Sequence, residues 1–215
     1  MRMRRLRWDD WAPVVLLGAA LFPVVAMAPA RPKLDGPRTV DDVVSQCRAT
    51  GATGRALADE AIAAVARAYP CYSLWHLWES PERSLRSHRG WSHQYNTVLL
   101  LVLRKLGFRA RLVHAARVRG FRTPWWLGGH TWVKVTVEGH ELDACASSEA
   151  NRVGAVNFVS LTRELPMRPI TRWAVGACLV PFVVVEVWGA WLQGREVAPW
   201  VYGPRRGSRT PGSSS

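Results

Sequence analysis

The sequence predicts an α+β domain, residues 38–170, between two hydrophobic segments. Helical periodicity dominates from Thr39 to Leu106, and the alternation that is typical of strands begins after Gly107. Helices followed by strands are typical of an α+β fold, here one in which a buried central helix packs on an antiparallel β-sheet. A further observation is that residues 11–30 and 173–193 are apolar runs long enough to cross a bilayer.

The N-terminal segment from Trp11 to Ala30 contains twenty residues without a charge. A helix of that length, at ~1.5 Å per residue, crosses the ~30 Å hydrocarbon core of a membrane. Arginines precede it and basic residues also follow it, so the charge bias indicates a cytoplasmic N-terminus only weakly. The tripeptide that ends at Ala28 resembles a signal-peptide cleavage site. Residues 1–30 are therefore interpreted as a transmembrane anchor or a secretory signal peptide.

Four helices are predicted in the first part of the domain. Thr39 is a suitable N-cap for the first helix, and the Ala-rich helix that follows it ends at Pro70. A short helix begins near Ser80. The most apolar helix runs from Ser92 to about Leu106, and its sequence "VLLLVL" is apolar almost all round. It is therefore predicted to be the buried central helix.

The second part of the domain has the pattern of strands. The stretch "FRARLVHAARV" predicts one strand, and "HTWVKVTVEGHELDACA" predicts two more, joined by a tight turn at Glu138–Gly139. Alternation sorts the side chains of the first hairpin strand into two faces: Val133, Val135 and Val137 on one, and His130, Trp132 and Lys134 on the other.

The segment from Trp173 to Gln193 carries one charge, Glu186. A charge near the centre of a membrane costs roughly 3 kcal/mol, which the apolar residues of the segment offset. Its tryptophans lie toward the ends, as in a membrane-spanning helix. The segment is predicted to be a second transmembrane helix, with a buried or interfacial helix of the domain as the alternative. The tail, residues 203–215, is rich in Gly, Pro and Ser, and its composition predicts disorder.

The formal net charge is +13 and most of it is arginine. The arginines are scattered instead of lying along one helix or groove, which argues against a nucleic-acid partner and favours anionic membrane lipids. Four cysteines show no CxxC spacing, so no metal site is expected. The sequence indicates no cofactor.

Three motifs in a fixed order carry a resemblance to a known family. A Gly-Trp turn opens the buried helix, which ends in "LRKLGF"; "RLVHAARVRG" and then "GHTWVKVTVEG" with "LDA" follow. This order resembles the transglutaminase-like superfamily and, in "LGF" with "ARVRG", the arylamine N-acetyltransferases. Both belong to the papain-like group of Cys-His-Asp enzymes. The resemblance covers residues 89–146 and implies a papain-like fold for the domain.

In that group the nucleophilic thiol lies at the N-terminus of the central helix, a histidine on a later strand is its base, and a carboxylate on the next strand orients the histidine. Carried onto this chain, the resemblance implies Ser92 as nucleophile, His130 as base and Asp143 as orienting acid. Serine in place of cysteine is a departure from the family. The alternatives are that Ser92 is an ordinary N-cap and that Cys145, on the same face as Asp143, is a displaced thiol.

A second departure concerns the hairpin. With a two-residue turn, Asp143 lies opposite Lys134, four positions along the strand from His130, which corresponds to roughly 13 Å. A bulge or a different turn is needed to close that gap. The alternative is an ion pair between Asp143 and Lys134 at the surface.

Four residues are predicted to line the substrate site: Trp91 and Gln94 beside the helix start, and Trp125 and Trp126 in the loop before His130. The two loop tryptophans form a wall of an acyl or peptide pocket, or else cover the core. The resemblance implies acyl transfer or hydrolysis of an amide, ester or thioester in a membrane-attached protein. The alternative is a non-catalytic domain that binds a peptide or lipid-linked partner. The apolar segments predict a cell-membrane protein, and their charged flanks weakly suggest that both termini are cytoplasmic and the domain lies outside the cytoplasm.

Overall fold

The computed structural model describes residues 35–121 and 127–204, together with Val15 and Ala19. The predicted N-terminal anchor and the loop residues Trp125 and Trp126 fall outside the described residues, except for helical Val15 and Ala19. Helices and short strands form a mixed α+β structure, as predicted. The helices of the described part are α1 Val40–Ala49, α2 Gly54–Ala68, α3 Pro81–Arg86, α4 Ser92–Lys105 and α5 Pro169–Leu192. Its strands are β1 Cys71–Ser73, β2 Arg89–Gly90, β3 Ala110–Ala115, β4 Val118–Arg119, β5 His130–Val137, β6 His140–Ala144, β7 Val159–Ser160, β8 Leu165–Pro166 and β9 Tyr202–Pro204.

The first helix begins at the predicted N-cap. The hydroxyl of Thr39 accepts a hydrogen bond from the Asp42 N–H at 3.1 Å, and the Asp42 carboxylate accepts one from the Thr39 N–H at 2.9 Å. This reciprocal arrangement is a capping box, which satisfies two backbone donors at the start of the helix. Helix α2 then packs on α1 and α4 through small alanine side chains and ends before Pro70.

Helix α4 is the central element of the domain. Ten of its fourteen residues are buried, because it is covered by α1, α2 and α3 and packs on β3 and β5. Gly107 follows it with a φ of +96°, a conformation that favours glycine, and reverses the chain into β3. The boundaries match the predicted helix from Ser92 to about Leu106.

The larger sheet has the order β6-β5-β3-β8, and all neighbouring strands are antiparallel. Strands β5 and β6 are joined by the predicted two-residue turn, in which Glu138 and Gly139 have φ values of +52° and +82°. Positive φ at both central residues matches the twist of the flanking strands. The register therefore pairs Lys134 with Asp143 and has no bulge within the hairpin.

A smaller sheet of order β2-β1-β9 was not predicted. Strand β2 pairs parallel with β1 and leads directly into Trp91 and helix α4. Strand β9, which pairs antiparallel with β1, brings the chain back to the domain after α5. The prediction that a disordered tail begins at residue 203 is thus wrong for its first two residues, because Gly203 and Pro204 belong to a strand. Residues 205–215 lie outside the described part.

Helix α5 is long and apolar enough to cross a membrane, and it is the one such helix in the described residues. One face, with Gly176, Val183, Val187 and Ala190, is buried. Two of these pack in a second hydrophobic cluster with Leu74, Trp75, Leu77, Trp91 and Val201. The other face exposes large apolar side chains: Ile170, Trp173, Val180, Phe182, Val185, Trp188 and Leu192.

Both ends of α5 are bonded to the same domain. Its start follows β8, which pairs with β3, and its end leads to β9, which pairs with β1. The single charge, Glu186, accepts hydrogen bonds from Arg195 at 2.6 Å and from the Ala198 N–H at 3.1 Å. A 24-residue helix is about 36 Å long. If it crossed a bilayer, its ends would lie on opposite sides, whereas here both ends pair with one domain; this arrangement agrees better with the alternative of a buried or interfacial helix of the domain.

Candidate active site

The start of the central helix is organised by Gln94, not by Ser92. The backbone of Trp91 is extended and forms the N-cap, which makes Ser92 the first helical residue. The Trp91 N–H donates to the side-chain oxygen of Gln94 at 3.1 Å. The interpretation of Ser92 as the N-cap is therefore wrong by one residue, because the extended cap conformation belongs to Trp91.

The side chain of Gln94 is fully buried and its amide is occupied. Its nitrogen donates to the carbonyl oxygens of His76 and Glu79, each at 2.9 Å. Gln94 thus ties the turn before α3 to the first turn of α4. These hydrogen bonds give Gln94 a structural role, and its predicted contact with substrate stays a prediction.

His130 begins strand β5 and lies in an aromatic enclosure. Only 4% of the residue is exposed. The ring centroids of Phe121 and Phe158 are 4.7 and 4.8 Å from the imidazole, and Trp132 stacks at 6.2 Å. The Nε2 atom of His130 lies 3.3 Å from the sulfur of Cys145. The predicted base therefore has a thiol within hydrogen-bond reach.

Strand geometry explains why Cys145 meets His130. Ala144 pairs with Val133, so the next residue, Cys145, comes level with Trp132 as β6 ends. Alternation places Cys145, Trp132 and His130 on one face of the sheet, and diagonal neighbours on one face are within side-chain reach. The alternation of side chains along the hairpin had predicted this face for Cys145, the face that also carries Asp143.

Asn96 is a second polar group at the thiol. Its Nδ2 atom lies 3.4 Å from the sulfur of Cys145 and donates to the Thr131 carbonyl at 2.6 Å. Its Oδ1 atom accepts from the Ala146 N–H at 3.0 Å. Asn96 therefore fixes the central helix to the ends of β5 and β6. Sequence reasoning missed it, although an asparagine in an otherwise apolar buried helix is a signal of a required hydrogen bond.

Asp143 does not orient His130 through the contacts described for its carboxylate. Its Oδ1 atom accepts from the indole N–H of Trp132 at 2.6 Å and lies 2.8 Å from Lys134 Nζ. Lys134 also pairs with Glu164 at 3.1 Å. The regular register keeps Asp143 opposite Lys134, roughly 13 Å along the strand from His130. The alternative of an Asp143–Lys134 pair is what the structure contains.

Ser92 lies in a different environment. It is buried and lines a cavity of about 310 Å³ together with His114 and Gly129, which α5 covers from the other side. His114 Nδ1 is 3.0 Å from the Thr131 hydroxyl, and burial lowers the pKa of this imidazole. Thr131 and its neighbour His130 point to opposite faces of β5. The histidine that shares the Ser92 cavity is thus His114.

Trp91 lines this cavity and a larger one beside it; its predicted contact with substrate stays a prediction. In the part of the chain that the structure describes, no group of three or more His, Cys, Asp or Glu side chains could hold a metal ion.

Comparisons of the chain with models of protein families, with curated proteins and with solved structures found no match. The resemblance to the transglutaminase-like superfamily rests on the quoted motifs.

Proposed function

We propose that the protein is a membrane-associated, transglutaminase-like acyltransferase or hydrolase whose nucleophile is Cys145 and whose base is His130. The observation that carries this proposal is the 3.3 Å separation between His130 Nε2 and Cys145 Sγ. An adjacent base is what a thiol needs to become a nucleophile. The proposal keeps the histidine implied by the family resemblance and moves the nucleophile from the helix start to the end of β6.

The reaction would use the pair of Cys145 and His130, here called the dyad, in two steps: formation of an acyl-enzyme and its breakdown. His130 takes the proton of Cys145, and the thiolate attacks the carbonyl carbon of an amide, ester or thioester. The leaving group departs with the proton from the imidazolium, which leaves a thioester on Cys145. Water or another acceptor then gives its proton to His130, attacks the thioester and releases the thiol. The Nδ2 donor of Asn96, 3.4 Å from the sulfur, would stabilise the thiolate.

Access to the dyad is the main requirement of this mechanism. Cys145 is fully buried, and the rings of Phe121 and Phe158 enclose His130. In the proposal, substrate reaches the thiol by displacing this aromatic pair. The full burial of Cys145 is also the specific observation that favours the second candidate, a non-catalytic domain in which the thiol and the imidazole are core contacts and a peptide or lipid-linked partner binds elsewhere.

A second buried cysteine of the same chain, Cys47, serves as a matched control for deciding between a catalytic and a non-catalytic Cys145. Cys47 is as fully buried as Cys145, but burial first, and then the negative charge of Glu60, raise the pKa of its thiol to about 11. We expect iodoacetamide at pH 7.5 to alkylate Cys145 at least tenfold faster than Cys47, because thiolate is the reactive form. The His130→Gln variant should remove most of that difference.

Acyl chemistry is tested with a p-nitrophenyl ester of a short fatty acid and intact-protein mass spectrometry. The expected adduct on Cys145 disappears in Cys145→Ala and persists in Ser92→Ala. An adduct on Ser92 would instead support the serine nucleophile that the family resemblance implies. Equal alkylation of Cys145 and Cys47 with no adduct anywhere would support the non-catalytic domain.

Membrane attachment is the second part of the proposal. The exposed apolar face of α5 would lie in the head-group region of one leaflet, while its opposite face stays packed on the domain. This geometry is supported by the two ends of α5, which are both bonded to the same domain. As the charged flanks of the sequence suggest, the proposal places the domain outside the cytoplasm at the cell membrane.

A further inference from the structure

A cavity of about 710 Å³ lies between the first turns of α4 and the first half of α5. Most of its wall is apolar and includes Leu77, Trp78, Leu112, Met167, Trp173 and Val180. A cavity of this size with apolar walls and a few polar groups is typical of a small-molecule site.

Most of the polar groups on the wall of this cavity carry an N–H donor or a positive charge. Arg168 and Arg172 line the cavity, and none of its described lining residues is acidic. Trp91 and His93 also line it, with only 3% and 6% of each residue exposed. Trp91 Nε1 and His93 Nδ1 have no hydrogen-bond partner within the described structure. An indole N–H can only donate, so a ligand would have to bring an acceptor.

We propose that this cavity binds one anionic lipid, with an acyl chain along the apolar wall and the acidic head group at Arg168 and Arg172. The unpaired, buried indole N–H of Trp91 and two guanidinium groups favour an anion, because charge-assisted hydrogen bonds to arginine are strong. The apolar wall explains why the anion carries a hydrocarbon chain. The cavity thus complements both parts of an amphiphile: its apolar wall suits the hydrocarbon chain, and its arginines suit the acidic head group.

The position of the cavity favours a lipid over a soluble anion. Trp173 and Val180 line the cavity and are also 75% and 40% exposed on the apolar face of α5. The cavity therefore opens on the face that the proposed function places in the membrane, and this choice of lipid rests on that proposal. A lipid could enter sideways from the leaflet without crossing water.

The lipid site is separate from the thiol. His93 and Thr97, one turn apart on α4, line the cavity, whereas Asn96 contacts Cys145. Neither Cys145 nor His130 is among the lining residues. A lipid bound here is therefore a ligand in addition to any acyl substrate of Cys145.

The experiment uses the full chain in a neutral detergent with cis-parinarate, a fluorescent fatty acid, as the reporter. Palmitate should displace the reporter, methyl palmitate should be at least tenfold weaker, and millimolar inorganic phosphate should leave the reporter bound. Equal displacement by palmitate and its methyl ester would overturn the head-group site. Displacement by phosphate alone would replace the lipid with a soluble anion.

Two pairs of variants locate the site. Ala177→Phe projects into the cavity and should weaken palmitate binding at least tenfold, while Val185→Phe, on the exposed face outside the cavity, should leave it unchanged. Arg172→Gln should weaken palmitate but not methyl palmitate, while Arg163→Gln, outside the cavity, should weaken neither. Equal effects within either pair would mean that binding is to the helix face in general. Acyl labelling of Cys145 should be the same in Ala177→Phe and the wild type, which separates this test from that of the proposed function.

Discussion

Asp143 shows how one residue acquires its role from the register of its strand. Its carboxylate is held between Trp132 Nε1 and Lys134 Nζ, on a part of the sheet where both charged groups retain some exposure. Lys134 keeps a second carboxylate, that of Glu164, within 3.1 Å. Partly exposed ion pairs of this kind contribute little to stability, because water screens the charges.

Asp143→Asn should therefore lower the free energy of unfolding by less than ~1 kcal/mol, because the amide oxygen still accepts from Trp132 and Lys134 retains Glu164. Urea denaturation followed by tryptophan fluorescence checks this value, with Lys134→Met as the companion variant. Acyl labelling of Cys145 should be unchanged. Loss of labelling in a folded Asp143→Asn protein would return Asp143 to the catalytic site.

His93 is a buried histidine whose titration should be visible in the stability of the fold. Burial, then the positive charge of Arg172 and that of His114, lower its pKa from 6.5 to about 4. In the unfolded chain the His93 imidazole binds a proton near pH 6.5, whereas in the folded chain the same imidazole stays neutral until about pH 4. Stability should thus fall as the pH drops between these values, because protonation favours the unfolded state.

A pKa difference of this size corresponds to about 3 kcal/mol of unfolding free energy. The measurement is the urea midpoint at pH 7 and at pH 4.5 in the wild type and in His93→Gln. We expect the variant to lose a large part of the pH dependence; His114, whose pKa is also lowered by burial, should account for part of the rest. An unchanged pH dependence would show that His93 is protonated in the folded protein.

At the scale of the element, α5 has two apolar faces with different surroundings. Val187 is 2% exposed and packs in the cluster around Trp75 and Trp91, whereas Val185, two residues earlier, is 72% exposed. The same side chain therefore contributes burial energy at one position and a free apolar surface at the other. A helix with one packed face and one free apolar face is suited to lie in an interface.

In a chain from which residues 1–30, the predicted anchor or signal peptide, are removed, Val185→Glu should reduce binding to vesicles of phosphatidylcholine and phosphatidylglycerol at least tenfold and leave the urea midpoint nearly unchanged. Val187→Glu should instead lower the free energy of unfolding by several kcal/mol, because it buries an unpaired charge. Flotation of the vesicles measures the first effect and urea denaturation the second. Wild-type binding by the Val185→Glu protein would argue against an interfacial α5.

At the scale of the whole molecule, the strand pairings at both ends of α5 determine how it can meet a membrane. Strand β8 before the helix pairs with β3, and β9 after it pairs with β1. The larger and the smaller sheet thus hold the two ends on one body. A transmembrane arrangement would have to break one of these pairings.

This geometry predicts that residues before and after α5 are on the same side of the membrane. In a background with Cys71→Ser and Cys178→Ser, the variants Arg163→Cys and Glu196→Cys place a thiol at exposed positions on either side of the helix. An impermeant maleimide applied to intact cells should label both or neither. Labelling of only one of them would mean that α5 spans the bilayer. Labelling of both would support the extracytoplasmic placement of the domain.

Local patterns in the sequence determined most of the secondary structure. The apolar run after Ser92 predicted the buried helix α4, and the residues Glu138 and Gly139 predicted a two-residue turn and hence the register of Lys134 with Asp143. These features depend on neighbours within a few residues, so the sequence contains the information directly. The smaller sheet was missed because its strands, of two or three residues, are too short to show a period.

Only the tertiary structure decided whether the hydroxyl of Ser92 or the thiol of Cys145 lies beside His130. The sequence placed Cys145 and His130 on one face by parity, but the choice between Ser92 and Cys145 depended on how α4 lies on the sheet. In the folded chain Ser92 shares a cavity with His114, while Cys145 reaches His130 and Asn96. The physical reason is that these contacts join α4 to the ends of β5 and β6, elements far apart in the chain. Likewise, the apolar composition of α5 made the sequence predict a membrane helix, whereas the pairing of β8 and β9 with the domain decided that both its ends lie on the same body.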